Sequence, residues 1–250
     1  TMDASIYFVH IIDRKYGPPA TPVTKYNIPK ASFGSFTPKV SLDYKVGKTL
    51  FYASYSKGFK AGAFNANAPG APGPVRPEKL DAYEVGSKGT YLNGTLLFNS
   101  AFYYYSMKDV QTSTLNPGLL GATLLQNAAS VEAYGADFTL TAKISQRLSA
   151  DFSVSLEHAK FDDYPNAAGF IATPTGYKAI SIPNAKGSKF PYAPQVAISE
   201  SIHHVTELSN GGKVALNADI YFNGGYNFDV QGISKQRGYA VAGASAAYTF

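Results

Sequence analysis

Between Ser149 and Glu157 every second residue is polar: Ser149, Asp151, Ser153, Ser155 and Glu157 alternate with Ala150, Phe152, Val154 and Leu156. Successive side chains of a strand point to opposite faces, so the pattern predicts a strand with one polar and one apolar face. The same period recurs. Val40, Leu42, Tyr44 and Val46 alternate with Lys39, Ser41, Asp43 and Lys45. Ala136, Phe138, Leu140, Ala142 and Ile144 alternate with Gly135, Asp137, Thr139, Thr141 and Lys143. Val214, Leu216, Ala218, Ile220 and Phe222 alternate with Asn217, Asp219 and Asn223 among their neighbours.

A soluble sandwich also alternates, but two features separate this chain from one. The predicted strands run to about 10–14 residues, against about 5–6 in globular proteins and about 9–11 for a tilted strand crossing a bilayer. The connections also alternate in length. Val46–Thr49, Tyr91–Gly94 and Ser145–Leu148 are tight turns, whereas 14–35, 60–78, 112–126, 162–190 and 224–236 are long and rich in Gly, Pro, Ala and Asn. Short turns on one rim and long loops on the other are the layout of an outer-membrane barrel. The pattern predicts an all-β antiparallel meander with strands near 4–13, 36–46, 49–59, 79–90, 95–111, 127–144, 149–161, 191–204, 213–223 and 237–250. Two segments fit poorly. Ile6 to Ile12 is apolar on both faces, and Glu200 shares a face with Val196, Ile198 and Ile202, which suggests a bulge or a shifted register there.

Composition narrows the class. Of 250 residues, 14% are aromatic and none is Cys, which removes disulfide scaffolds, Cys-ligated zinc and Cys nucleophiles together. No apolar run is long enough for a helical span, and the N-terminus carries no signal-peptide pattern. The net charge of +5 is spread as single Lys and Arg residues, so a nucleic-acid role is not indicated. No His spacing forms a metal site, and no cofactor motif is present. His203 and His204 are adjacent on a strand and face opposite ways.

Several segments resemble the barrel of the TonB-dependent receptors, the ligand-gated importers of the Gram-negative outer membrane. They are Leu50 to Phe59 with Lys60-Ala-Gly62, Arg76 to Gly89 with its Pro-Glu-Lys and Tyr-Glu-Val-Gly-Ser-Lys runs, Phe98 to Gln111, Asn127 to Leu140, and Gly238 to Phe250. In the fourth, Tyr134-Gly-Ala-Asp137 stands where the family usually has Gly-x-Glu. The resemblance implies about ten strands of a larger, 22-stranded barrel. It makes residues 1–250 an open, partial barrel domain with the plug and the last strands outside the chain.

The same resemblance implies import of a scarce nutrient, an iron–siderophore chelate being the family default. It also implies a plug domain, the TonB–ExbB–ExbD complex reached through that plug, and the lipid and lipopolysaccharide of the outer membrane as partners. The chain would supply no catalysis. Gly58, Glu84, Gly86, Lys88, Gly135, Asp137 and Glu157 are expected to face the lumen, either meeting the plug or forming a solvated wall; the glycines would admit plug backbone or bend the strand. Phe64, Asn65, Asn67, Tyr164, Phe170, Tyr177, Tyr226, Asn227 and Phe228 are the loop candidates for ligand, by stacking and hydrogen bonding. The alternative for aromatic residues is the interfacial girdle, to which Phe51 to Tyr55 and Tyr103 to Tyr105 are assigned first. Lys57, Lys60 and Arg76 could attract an anionic ligand or lipid headgroups. A second reading is a complete ten-stranded barrel acting as a surface protease or adhesin, with His158 beside Asp162 and Asp163 as its candidate site.

Overall fold

A computed structural model describes residues 2–12, 31–65, 73–115 and 123–250. They form one antiparallel sheet of twelve strands: β1 (Met2–Ile12), β2 (Ser32–Val46), β3 (Thr49–Lys60), β4 (Glu78–Tyr91), β5 (Leu96–Leu115), β6 (Thr123–Lys143), β7 (Leu148–Asp163), β8 (Pro165–Thr173), β9 (Gly176–Asn184), β10 (Val196–Glu207), β11 (Lys213–Asn227) and β12 (Lys235–Thr249). Ten of them follow one another in the ladder, from β1 to β7 and then β10 to β12. Among the described residues no ladder joins β1 to β12, so the sheet is open.

Those ten strands are the ones the alternation predicts, with β10 beginning at Val196 rather than 191. The other two, β8 and β9, are a hairpin inside the 162–190 segment, which is therefore an ordered excursion and not an irregular loop. The short-turn rim is built by local chemistry. Gly47 takes φ 59° between β2 and β3, and Gly94 takes φ 96° between β4 and β5, where a Cβ would be strained. Ser145 Oγ accepts the N–H groups of Arg147 (3.1 Å) and Leu148 (3.1 Å) and closes the β6–β7 turn.

Reading across the ladders, Val46 is level with Thr49, Gly89, Phe98, Leu140, Phe152, Glu200, Ile220 and Ala242. The row starts at the β2–β3 turn and ends in the interior of β12. The strands are thus sheared against the rim, and a sheared sheet runs with its strands tilted, as barrel closure requires. Glu200 belongs to this row without any bulge in β10, contrary to the irregularity its charge suggests. The bulges lie instead at the far end of β5 and β6, between Met107 and Gln111 and between Ser130 and Val131, with Asp109 at φ 55°.

The sheet is inside out by the standard of a water-soluble domain. Leu42 (51%), Val85 (52%) and Phe102 (50%) stand open on the apolar face. On the opposite face of β3, Tyr52, Ser54 and Ser56 are half-buried. An apolar face of this extent requires hydrocarbon or a partner against it. Toward the long-loop rim that face carries one registered row, Tyr55, Tyr83, Tyr104, Tyr134 and His158. Tyr55 lies 5.0 Å from Tyr83, and Tyr134 stacks on His158 at 5.0 Å. The next row outward, Lys57, Asp81, Ser106, Glu132 and Lys160, is charged at all but Ser106, with Lys57–Asp81 at 3.7 Å and Lys160–Glu132 at 3.6 Å. Apolar band, aromatic row, then charge is the profile of a bilayer interface. Tyr103 and Tyr105, assigned to the girdle by sequence, are on the polar face instead, because neighbours of an outward Tyr104 must point inward.

Aliphatic burial is confined to the long-loop rim of the polar face. Val110, Ala129, Val131, Phe161, Tyr164, Ala167 and Ala185 form the core, with Ile182, Phe190 and Val230 packed against it. The β8–β9 hairpin supplies its roof.

If the apolar face meets lipid, Val154→Arg should cost about 2–4 kcal/mol of stability in the membrane-assembled barrel, and Ser153→Arg on the other face far less. Glu200→Leu should stabilise the same barrel by about 1 kcal/mol. Urea unfolding in lipid vesicles measures all three; equal costs for the two arginines would refute the facing.

Candidate functional site

All seven expected lumen residues fall on the polar face. One row joins Ser54, Glu84, Tyr103, Gly135 and Glu157, and the adjacent row joins Tyr52, Gly86, Ala101, Asp137 and Ser155. Lys88 is one row nearer the short turns and Gly58 lies nearer the long loops. Tyr52 Oη donates to Glu84 Oε1 at 2.6 Å, and Lys88 Nζ sits 5.4 Å from the centre of the Tyr52 ring. Tyr103 and Tyr105 stack at 4.8 Å. Glu84, Asp137 and Glu157 thus form a carboxylate patch framed by tyrosines.

Two of the three glycines lie under tyrosine side chains of the same wall. A Cβ on Gly86 would meet Tyr52, and one on Gly135 would meet Tyr103, each being the direct cross-strand partner or its neighbour on the same face. The tyrosine rings lie over these bare positions. Covering strand glycine with a cross-strand aromatic restores packing that glycine lacks.

Nearer the short turns a polar chain crosses five strands. Thr141 Oγ1 donates to Asp151 Oδ1 (2.6 Å), Asp151 Oδ2 is 3.3 Å from His203 Nε2, His203 Nδ1 meets Asn217 Oδ1 (2.8 Å), and Asn217 Nδ2 donates to Ser245 Oγ (3.2 Å). Sequence reading missed this constellation. Its members share the polar parity of their strands, but only the ladder register shows that they are neighbours. His204 is on the other face, level with Leu148 and Leu216, so the two histidines do not share a site.

The loop candidates separate into anchors and open positions. Tyr164 is only 3% exposed, and its hydroxyl is 2.8 Å from Thr112 Oγ1, so it anchors the hairpin and does not face ligand. Asn65 is committed too, since its amide donates to Leu125 O (2.9 Å) and accepts from Leu125 N (2.7 Å). This pins the segment after β3 to the extension of β6, with Phe64 half-buried alongside. Asn67 lies outside the described residues. Arg76 is tied to Asp109, Lys60 to Glu78 at 2.8 Å. Phe170 and Tyr177 are open on the hairpin, whose backbone is held on one side by Ala167 against Thr114 and on the other by Phe170 N–H to Gln231 Oε1 (2.6 Å). Tyr226 and Phe228 pack with Tyr192, which sequence reading did not select, at 5.8 and 5.6 Å from the Tyr192 ring. Asn227 carries Tyr192 N–H on its carbonyl at 2.9 Å. The protease cluster is not assembled: His158 stacks on Tyr134, Asp162 is 3.7 Å from Lys186, and Asp163 accepts from Asn184.

A tilted meander with an open apolar face, an enclosed polar face and an aromatic interface row is the wall of a transmembrane β-barrel. Residues 12–250 match the family model described as TonB dependent receptor-like, beta-barrel, and the chain belongs to that family of outer-membrane receptors. No curated protein matches the chain in sequence. Among solved structures it is similar to the ferric yersiniabactin uptake receptor FyuA of Yersinia pestis, with TM-score 0.69 and 19% identity over 87% of this chain and 30% of that one. It is also similar to BauA, the ferric preacinetobactin receptor of Acinetobacter baumannii, with TM-score 0.65 and 15% identity over 90% and 31%. A third is the ferric-catecholate import receptor Fiu of E. coli K12, with TM-score 0.63 and 14% identity over 97% and 35%. The chain therefore spans about a third of the length of these receptors.

Gly135→Val should destabilise the barrel by about 1–3 kcal/mol, because the new side chain meets Tyr103 and the Leu156 carbonyl. Gly47→Ala, strained by its φ of 59° but meeting nothing within 4 Å among the described residues, should cost less. Equal unfolding midpoints in vesicles would show that the tyrosine roof contributes nothing.

Proposed function

We propose that this chain forms part of the lumen wall and outer rim of a receptor that imports a metal chelate, an iron–siderophore complex being the first candidate. The observation that carries the reading is the placement of the long connections. The strand ends they join lie on one rim, and the β8–β9 hairpin, inside the longest of them, folds over the polar face and packs on Val131 and Phe161 there. A rim that reaches across the lumen, with Phe170 and Tyr177 open on it, suits capture of a solute entering from that side. The membership of the family and the ferric-chelate receptors among the structural relatives support the same solute class.

The carboxylate patch of Glu84, Asp137 and Glu157, with Lys88 beside it, is the surface on which a plug domain would rest. Its polar groups suit hydrogen bonds and ion pairs that can be remade when the plug moves. Energy for that movement would come from the TonB–ExbB–ExbD complex acting on the plug, and this wall would be the static partner. The outward charged row at Lys57, Asp81, Glu132 and Lys160 would meet the headgroups of lipid and lipopolysaccharide.

Replacing Pro165–Asn184 with a short Gly-Ser link in the complete receptor should abolish binding of the imported chelate and leave barrel assembly intact. Binding is read with radioiron complexes, and assembly by heat-modifiable migration. The cut removes Ala167 and Ile182 from the core of the rim and keeps Val110, Ala129, Val131, Phe161, Tyr164, Ala185 and Phe190. Unchanged affinity would remove the hairpin from the capture site. Uptake that persists after the proton gradient is collapsed would argue against the coupled mechanism.

A further inference from the structure

Glu200 is a carboxylate on the apolar face. It is exposed there, level with Phe152 of β7 and Ile220 of β11, with Ile198 and Ile202 beside it on β10. The diagonal places on the two neighbouring strands are Ala150, Val154, Ala218 and Phe222. None of these can donate a hydrogen bond from its side chain, and Glu200 makes no side-chain hydrogen bond or ion pair among the described residues. The next polar side chain on this face of β10 is His204, four residues on, which is about 13 Å along a strand. A one-residue bulge would have turned the carboxylate inward, yet the register is continuous on both sides of it.

Its depth makes the position costly. Phe152, its level partner, stands between Leu148 at the short turn and His158 in the aromatic row, so Glu200 lies inside the apolar band and not at either interface. Lysine and arginine can reach an interface from within a bilayer on their long stems, and glutamate has a shorter one. An ionisable group at such a depth calls for a partner. That partner must bring a hydrogen-bonding group to the same depth and must close the surrounding apolar positions against lipid.

We propose that the β7–β10–β11 face is an interface between two copies of this chain in the membrane, centred on Glu200. All copies cross the bilayer in one orientation, so a two-fold axis relating two of them runs along the membrane normal, and a residue on the axis meets itself at equal depth. A second copy therefore supplies the required polar group of necessity, whereas a different protein would need a polar side chain of its own at that depth. Strands tilted by about 35–45° in the same sense cross their symmetry mates at roughly 70–90°, which concentrates contact at one point. One carboxyl donates its O–H to an oxygen of the other, and Phe152, Ile198, Ile202 and Ile220 of both copies enclose the pair. The pairing is independent of the solute imported. It requires only that the apolar face meet lipid, which the Val154→Arg and Ser153→Arg comparison tests separately.

The test mixes donor-labelled and acceptor-labelled copies of the complete receptor in lipid vesicles at rising protein-to-lipid ratio. Energy transfer should saturate above the level of random proximity. Glu200→Leu should raise the ratio for half-association by about tenfold or more, with heat-modifiable assembly intact. Glu200→Gln, whose amide both donates and accepts, should keep association. Glu200→Lys alone should lose it, and mixing Glu200→Lys with the unaltered receptor should restore it, which separates pairing from folding damage. Association of Glu200→Leu at the same ratio as the unaltered receptor overturns the carboxyl pair. Transfer at the random level for the unaltered receptor overturns the second copy, and a cross-link from this face to another protein in native outer membranes, lost in Glu200→Leu, would then assign the interface to that protein.

Discussion

In hydrocarbon no water is present to pair with a backbone N–H or carbonyl, so each strand that crosses must find its partners in its neighbours. Everything else in this sheet follows from that constraint. It makes the crossing strands long, from β1 with 11 residues to β6 with 21. It keeps consecutive strands adjacent, since a tight turn delivers the next strand directly to the open edge of the last. It also inverts the usual distribution of side chains. Along the membrane-crossing part of β3 to β5, apolar residues such as Ala53, Val85 and Phe102 take one face, and polar ones such as Ser54, Glu84 and Lys88 take the other.

A wall made this way has little aliphatic core to stabilise it, and cross-strand pairs take over much of that role. Tyr52 and Tyr103 lie over Gly86 and Gly135, and Thr141, Asp151, His203, Asn217 and Ser245 are linked across the strands near the short turns. On the outer face the row from Tyr55 to His158 does the same for the membrane interface. Such contacts hold neighbours in register. One slipped residue would turn every side chain of a strand to the wrong solvent.

The long-loop rim obeys a different rule. Beyond the bilayer the chain returns to water and can build an ordinary core, which it does around Val131, Phe161 and Tyr164. The hairpin over that core, the Asn65 clamp on Leu125 and the Asp229 turn give the rim defined geometry. A rigid rim lets a few aromatic groups converge, as at Tyr192, Tyr226 and Phe228.

Period-2 alternation together with the spacing of tight turns and long connections determined the crossing strands, the rim on which each connection lies, and the face taken by Glu84, Asp137 and Glu157. These are local properties, set by the pleat and by turn length, and the chain cannot satisfy its solvents otherwise. Family membership was also legible, in motifs such as the Tyr-Glu-Val-Gly-Ser-Lys run of β4. What only the tertiary structure decided was contact between residues distant in sequence. Pro165–Thr173 and Gly176–Asn184 carry no strong alternation, because their hairpin is ordered by packing on Phe161 and by the Gln231 bond, so sequence showed only a long connection. Tyr164 looked like an open loop aromatic, and packing made it an anchor. Thr141, Asp151, His203, Asn217 and Ser245 are unremarkable singly; strand register brings them into one polar chain. Convergence of that kind depends on strand register and loop placement, which are global quantities that no local pattern encodes.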